Sequence, residues 1–180
     1  MKIIIGLGNP GEKYKQTRHN AGFLFLEDWA EEENLNWSQN KKFASLMAKK
    51  ERIFLVKPLT YMNNSGWAVK NILSYYKLLP KKIFGYNKNS DLSEVLTVVH
   101  DDLDIPLGEY KISINSGSAG HKGVQSIIDH LKTKNFKRIR IGASSPGLKN
   151  STEKHVLQKL KTREKEILKK TIKKIRKKEF

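Results

Sequence analysis

MKIIIGLGNPGEKYKQTRHNAGFLFLEDWAEEE, residues 1–33, carries the stretch that decides the class of fold. Ile3, Ile4 and Ile5 form a continuous β-branched run that ends in Gly6-Leu7-Gly8, the pattern of a buried strand running into a tight turn. Between residue 20 and about residue 33 the apolar side chains Ala21, Phe23, Leu24, Leu26, Trp29 and Ala30 recur at helical spacing, so a helix follows the loop. Strand, polar loop and helix in that order open an α/β domain.

Working outward, residues 43–49 and 52–57 read as two strands, with Lys50-Glu51 as the hairpin turn and Pro58 closing the second. Val69, Ile72, Leu73 and Tyr76 resume a helical period that Pro80 closes. The polar segment 85–91 marks an exposed loop. Residues 95–99 form a strongly β-branched strand that delivers His100-Asp101-Asp102-Leu103-Asp104 at its end, and residues 109–114 alternate as another strand. A glycine- and serine-rich loop, 115–123, opens a helix over 124–131; a strand at 138–141 and a helix from 162 to about 177 complete the chain. Strands and helices alternate with two strand pairs mixed in, which predicts a single three-layer α/β domain with a mixed β-sheet flanked by helices. Residues 1–160 are expected to form the main domain, with the basic helix 161–180 packed on it or extending from it.

The 180 residues hold 35 Lys and Arg against 18 Asp and Glu, a formal charge of +17 that favours a polyanionic partner, nucleic acid before membrane surface. Twelve of the basic residues fall in 151–180 with only four Glu, where they act either as a solvated helical face or as an attractor of phosphates. The absence of cysteine excludes disulfides, a thiol nucleophile and Cys-ligated metal sites. The apolar run at the N-terminus is too short for a signal peptide and no stretch has the length of a membrane span, so a soluble, cytoplasmic protein is expected.

Gly6-Leu7-Gly8-Asn9-Pro10-Gly11 satisfies G-x-G-x-x-G, yet Pro10 removes an amide donor and residues 12–15 lack an apolar helix face, which argues against a dinucleotide site. More informative is His19, set among polar residues at a loop–helix junction. Amides at Asn63 and Asn64 stand at a second such boundary, and the carboxylates of 101–104 at a strand end, where α/β sheets hold ligands. Each has a structural alternative: capping for the amides, turn formation for the carboxylates. A metal site on His100, Asp101, Asp102 and Asp104 is disfavoured because adjacent strand positions face opposite ways. Serine hydrolase chemistry lacks its G-x-S-x-G.

Five segments, GLGNPGEKYKQTRHNAG (6–22), PLTYMNNSG (58–66), VVHDDLDIPLG (98–108), SGSAGHKGVQSI (116–127) and NFKRIRIG (135–142), together resemble the bacterial peptidyl-tRNA hydrolase family. The resemblance fades after about Leu157. It implies hydrolysis of the ester between a peptide and the 3′-terminal ribose of tRNA, with a fold of the peptidyl-tRNA hydrolase-like, phosphorylase/hydrolase-like kind and a cleft lined by the first, third and fourth segments. By the same resemblance His19 is the general base, Asp101 orients it, and Asn9 and Asn63 position substrate, with Asn63 also donating to the oxyanion. Tyr14 and Met62 match cleft residues, and His121 stands at the cleft mouth near the peptide or acceptor end. Lys122 replaces the usual asparagine, and Ser113 stands where a second basic residue is common beside Lys111; Lys111, Lys122 and Arg140 are the expected phosphate contacts. The implied enzyme needs no cofactor and no metal, acts as a monomer away from membranes, and binds peptidyl-tRNA through its acceptor end and phosphate backbone. A catalytically inactive RNA-binding relative of the same fold is the alternative.

Overall fold

The computed structural model of the chain describes residues 1–80, 90–144 and 153–180. The expected exposed loop at 85–91 lies largely outside them. β1 (Lys2–Gly6) runs parallel to β4 (Ile53–Pro58) on one side and to β5 (Leu96–Pro106) on the other. Beyond β4, β3 (Ser45–Lys50) and β2 (Ser38–Asn40) add antiparallel strands; beyond β5 come parallel β7 (Lys137–Ser144) and antiparallel β6 (Tyr110–Ser113). The resulting mixed sheet of seven strands has the order β2-β3-β4-β1-β5-β7-β6.

Both faces of β1 are buried, which is why its sequence is continuously apolar rather than alternating. Ile3 and Ile5 pack with Val69, Ile72 and Leu73 of α2 (Ser65–Tyr75) and with Val124 and Ile127 of α3 (Lys122–Leu131). Ile4 faces the other way, toward Phe25, Leu26 and Trp29 of α1 (Ala21–Glu32) and Leu168, Ile172 and Ile175 of α5 (Thr162–Glu179). These helices and the sheet make the three layers. A short α4 (Glu153–Val156) precedes α5.

Two close approaches aim the loops. A Cβ on Gly22 would strike the Leu7 backbone and the Val99 carbonyl, so only glycine lets α1 start directly over the ends of β1 and β5. A Cβ on Gly66 would strike the Ser126 carbonyl, so α2 and α3 touch backbone to backbone.

Three local expectations change. β5 does not end at Val99 but continues to Pro106, because β7 pairs with it through Asp102. The acidic run therefore stands within a strand rather than beyond it. α2 stops at Tyr75, before Pro80: Lys77 adopts φ 56° and the Leu78 amide reaches back to the Leu73 carbonyl, a left-handed helix stop. β2 was not foreseen in Ser38-Gln39-Asn40, a polar triplet that among the described residues pairs only with β3.

Candidate active site

The turn leaving β1 leads through residues 11–17 into a short 3-10 turn, Arg18–Asn20, that sets His19 beside β5. Asn20 braces this approach: its Oδ1 accepts from the Asn9 amide at 2.9 Å and its Nδ2 donates to the Asn9 carbonyl at 3.0 Å. Arg18, almost fully buried, pairs with Glu164 at the start of α5. The segment after α4 adds an edge, since the Leu160 amide donates to the Gln16 carbonyl and Thr17 bridges to Lys159. The loop that presents His19 is thus fastened from both ends of the chain.

His19 Nδ1 lies 2.9 Å and 3.1 Å from the two carboxylate oxygens of Asp101. From α3's N-cap, His121 brings Nε2 to 3.0 Å from the same Oδ1. His121 Nδ1 meanwhile accepts from the Gly123 and Val124 amides at 3.2 Å and 3.3 Å, so its proton sits on Nε2 and donates to Asp101. Burial alone would raise the Asp101 carboxyl, but the two imidazoles overcome it and hold the group well below the usual carboxylate range. An ionised Asp101 accepts from His19 Nδ1–H, which leaves the lone pair on Nε2. Among the described residues nothing bonds that Nε2, and His19 is 12% exposed against 2% for Asp101.

His19, Asp101 and His121 are also the one cluster of potential metal ligands among the described residues. Its hydrogen bonding does not suit a cation: Nδ1 of His121 faces two amide donors, so Nε2 carries the proton and has no lone pair to give.

A cleft of about 230 Å³ opens over this group, lined among others by His19, Asp101, Asp102, His121, Lys122 and Val156. It draws on the first, third and fourth of the five segments, as well as on Val156, for which the sequence offered no signal beyond an apolar residue. The other singled-out residues lie outside this lining. Asn9 Oδ1 accepts from the Met62 amide at 2.9 Å, tying the first loop to the second, and a Cβ on Gly123 would strike Met62 Sδ, so buried Met62 closes the gap to α3. Asn63 is exposed on the 3-10 turn Met62–Asn64. Tyr14 is half-buried, with the Lys13 ammonium 4.7 Å from its ring centroid. On the far side, Lys111 is exposed and stands across the ladder from Arg140, whose Nε donates to Asp102 Oδ2 at 2.7 Å. Arg140 already has a counterion inside the protein. That pairing was not expected.

Comparison with known proteins gives one consistent result. The family model described as Peptidyl-tRNA hydrolase matches residues 3–178. The peptidyl-tRNA hydrolase of Lactococcus lactis subsp. cremoris is 41% identical over 170 residues, 92% of this chain and 84% of that one. That of Aquifex aeolicus is 38% identical over 182 residues, covering 97% and 85%. Among solved structures, the crystal structure of peptidyl-tRNA hydrolase from Acinetobacter baumannii superposes with a TM-score of 0.81 at 33% identity, over 96% of this chain and 83% of that one.

Proposed function

The chain belongs to the peptidyl-tRNA hydrolase family, and on that premise we propose that its cleft hydrolyses the ester joining a peptide to the 3′-terminal ribose of tRNA, with His19 as general base. The observation that carries the reading is the hydrogen-bond chain that pins the proton of His19 on Nδ1 and points its basic Nε2 at the cleft.

The reaction follows from that arrangement. His19 Nε2 takes a proton from water as its oxygen adds to the ester carbonyl, and Asp101 stabilises the imidazolium that forms. The tetrahedral adduct then expels the ribose oxygen, which receives the proton back from Nε2, leaving free tRNA and a peptide carboxylic acid that ionises by releasing its proton to water. Asn63, exposed beside the second loop, donates to the oxyanion. Asn9 spends its Oδ1 on the Met62 amide, so its NH₂ is the end that meets substrate. Tyr14 and Met62 shape the approach. His121 is committed at both nitrogens, so it serves substrate by holding Asp101. Lys122 at the cleft, and Lys111 and Arg140 beyond it, take the acceptor end and the phosphate backbone, and Arg140 does so by sharing its guanidinium with Asp102. This chemistry calls on no cofactor or metal, and a cytoplasmic monomer suffices for it. An inactive RNA-binding relative would have no use for the tautomer lock.

The test is release of N-acetylated amino acid from tRNA by the purified protein with a chelator present. Turnover of the blocked substrate with free aminoacyl-tRNA spared supports the reading; no turnover, or equal rates on both, contradicts it.

A further inference from the structure

His100 precedes the carboxylate that orients the base, and nothing in the mechanism above uses it. It is 1% exposed, and by the alternation of β5 its side chain leaves the strand on the side opposite Asp101. Main-chain bookkeeping explains why a polar ring is buried there. The Val99 carbonyl accepts from the Leu7 amide at 2.9 Å, and β1 pairs with β5 no further than Gly6 with Val99. Two residues on, the Asp101 carbonyl points the same way and, among the described residues, meets no strand. A buried carbonyl left so is costly, and His100 fills the gap with Nδ1 2.7 Å from the Asp101 oxygen.

That bond puts the proton on Nδ1. Among the described residues His100 Nε2 is buried without a hydrogen-bond partner, an arrangement compatible only with the neutral ring. Burial pushes its pKa down to about 3. The ring also meets His121 in a T-shaped contact, 4.7 Å between centroids, and His121 is the second donor to Asp101 Oδ1.

We propose that His100 is a positioning residue for the catalytic site: it holds the Asp101 peptide plane through its Nδ1–H and His121 through its ring, so that one carboxylate receives both imidazoles. The proposal rests on the reading of His19 as general base.

Two substitutions in the full chain separate positioning from packing. His100→Phe keeps a ring of similar bulk and removes the donor; His100→Asn places an N–H near the former Nδ1 and leaves a cavity where the ring edge was. Packing alone makes Phe the more stable and the more active. Positioning makes Asn the more active despite lower stability, with kcat of the Phe variant roughly 10-fold below it, less than the ~10²–10⁴-fold of acid–base assistance because the base itself remains. KM is expected to stay within about 2-fold for both, since ground-state binding is untouched. The acid limb of kcat shifts in the Phe variant alone. Activity that follows stability, or an acid limb common to all forms, overturns the proposal.

A measurement on the unaltered protein stands if either variant fails to fold. Nitrogen NMR of His100 is expected to show a neutral ring protonated on Nδ1 throughout pH 5–8; an Nε2–H tautomer or a charged ring overturns it. His19→Ala, run in parallel, separates the two levels of the argument. If it keeps full turnover the base assignment itself falls; if it is inactive while the His100 variants rank by stability, only the role given to His100 falls.

Discussion

Ending the chain at Leu160 tests what the basic C-terminal segment contributes, and the structure gives the outcome a size. α5 inserts Leu168, Ile172 and Ile175 against α1, at 4%, 3% and 0% exposure. At ~1.5–3 kcal/mol for each fully buried aliphatic side chain, the loss is ~5–9 kcal/mol before any polar term. Arg18, buried next to His19, would also lose its ion pair with Glu164. Domains of this kind have ~5–15 kcal/mol in total. The truncated chain should therefore be unfolded or melt at least ~10 °C lower, at ~2–4 °C per kcal/mol for a chain of this size. Circular dichroism melts and urea titration of both forms would show it. A truncated protein melting within ~5 °C of the full chain would refute the packing argument and return the segment to the role of a solvated face.

Charge alone is better tested on the outer face of that helix. Replacing exposed Lys170, Lys174 and Lys178 by Gln should leave the melting temperature within ~2 °C and, where these residues touch phosphates, flatten the logarithmic salt slope of KM by about one unit or slightly less per contact. An unchanged slope would make them solvating residues only. Arg140→Ala should raise KM more than it lowers kcat; because Asp102 loses its counterion in that variant, Lys rather than Ala at 140 should recover most of the binding, and a kcat effect larger than the KM effect would contradict a phosphate role. Asp101→Asn sets an NH₂ against the His19 Nδ1–H, favouring the tautomer with its proton on Nε2, and should cut kcat ~10²–10⁴-fold with KM nearly constant; retention of a third of the activity would speak against the tautomer lock. For pH, the sign follows from His100. Its folded pKa is depressed to about 3, so the unfolded chain binds more protons below its ordinary ~6.5, and stability present above that value is lost as pH falls toward 3, by as much as ~4–5 kcal/mol. Urea midpoints between pH 7 and 4 check this against His100→Asn, whose curve should be flatter; parallel curves would contradict it.

Much of this was legible in the chain, and what was missed has local causes. The isoleucines of β1 and the helical spacing of Phe23, Leu26 and Trp29 announce their elements because burial on two faces and on one stripe leave different periodicities. β5 ran past its β-branched residues because pairing with β7, a long-range contact, carries an acidic stretch that by itself reads as a turn. Ser38-Gln39-Asn40 has no apolar residue to report that β3 will pair with it. At the site, His19 and Asp101 could be singled out from residue type and from resemblance, and 82 positions separate the two partners the fold brings together. The ties from Arg18 to Glu164 and from Arg140 to Asp102 had no such sign, since a basic residue in a basic chain reads as a phosphate contact until its counterion is seen. The double commitment of His121 is likewise a property of where α3 begins, not of the residue.

The central claim is that Nε2 of His19 is the base that activates water. Its most direct test is single-turnover hydrolysis of N-acetylated aminoacyl-tRNA at saturating enzyme, comparing the native chain with His19→Ala across pH. The account predicts a rate at least ~10²-fold lower for the variant, undiminished tRNA binding, and loss of the fall in rate at acid pH that protonation of His19 imposes on the native chain. A variant that keeps more than a tenth of the native rate, or one that keeps the same acid limb, would contradict it.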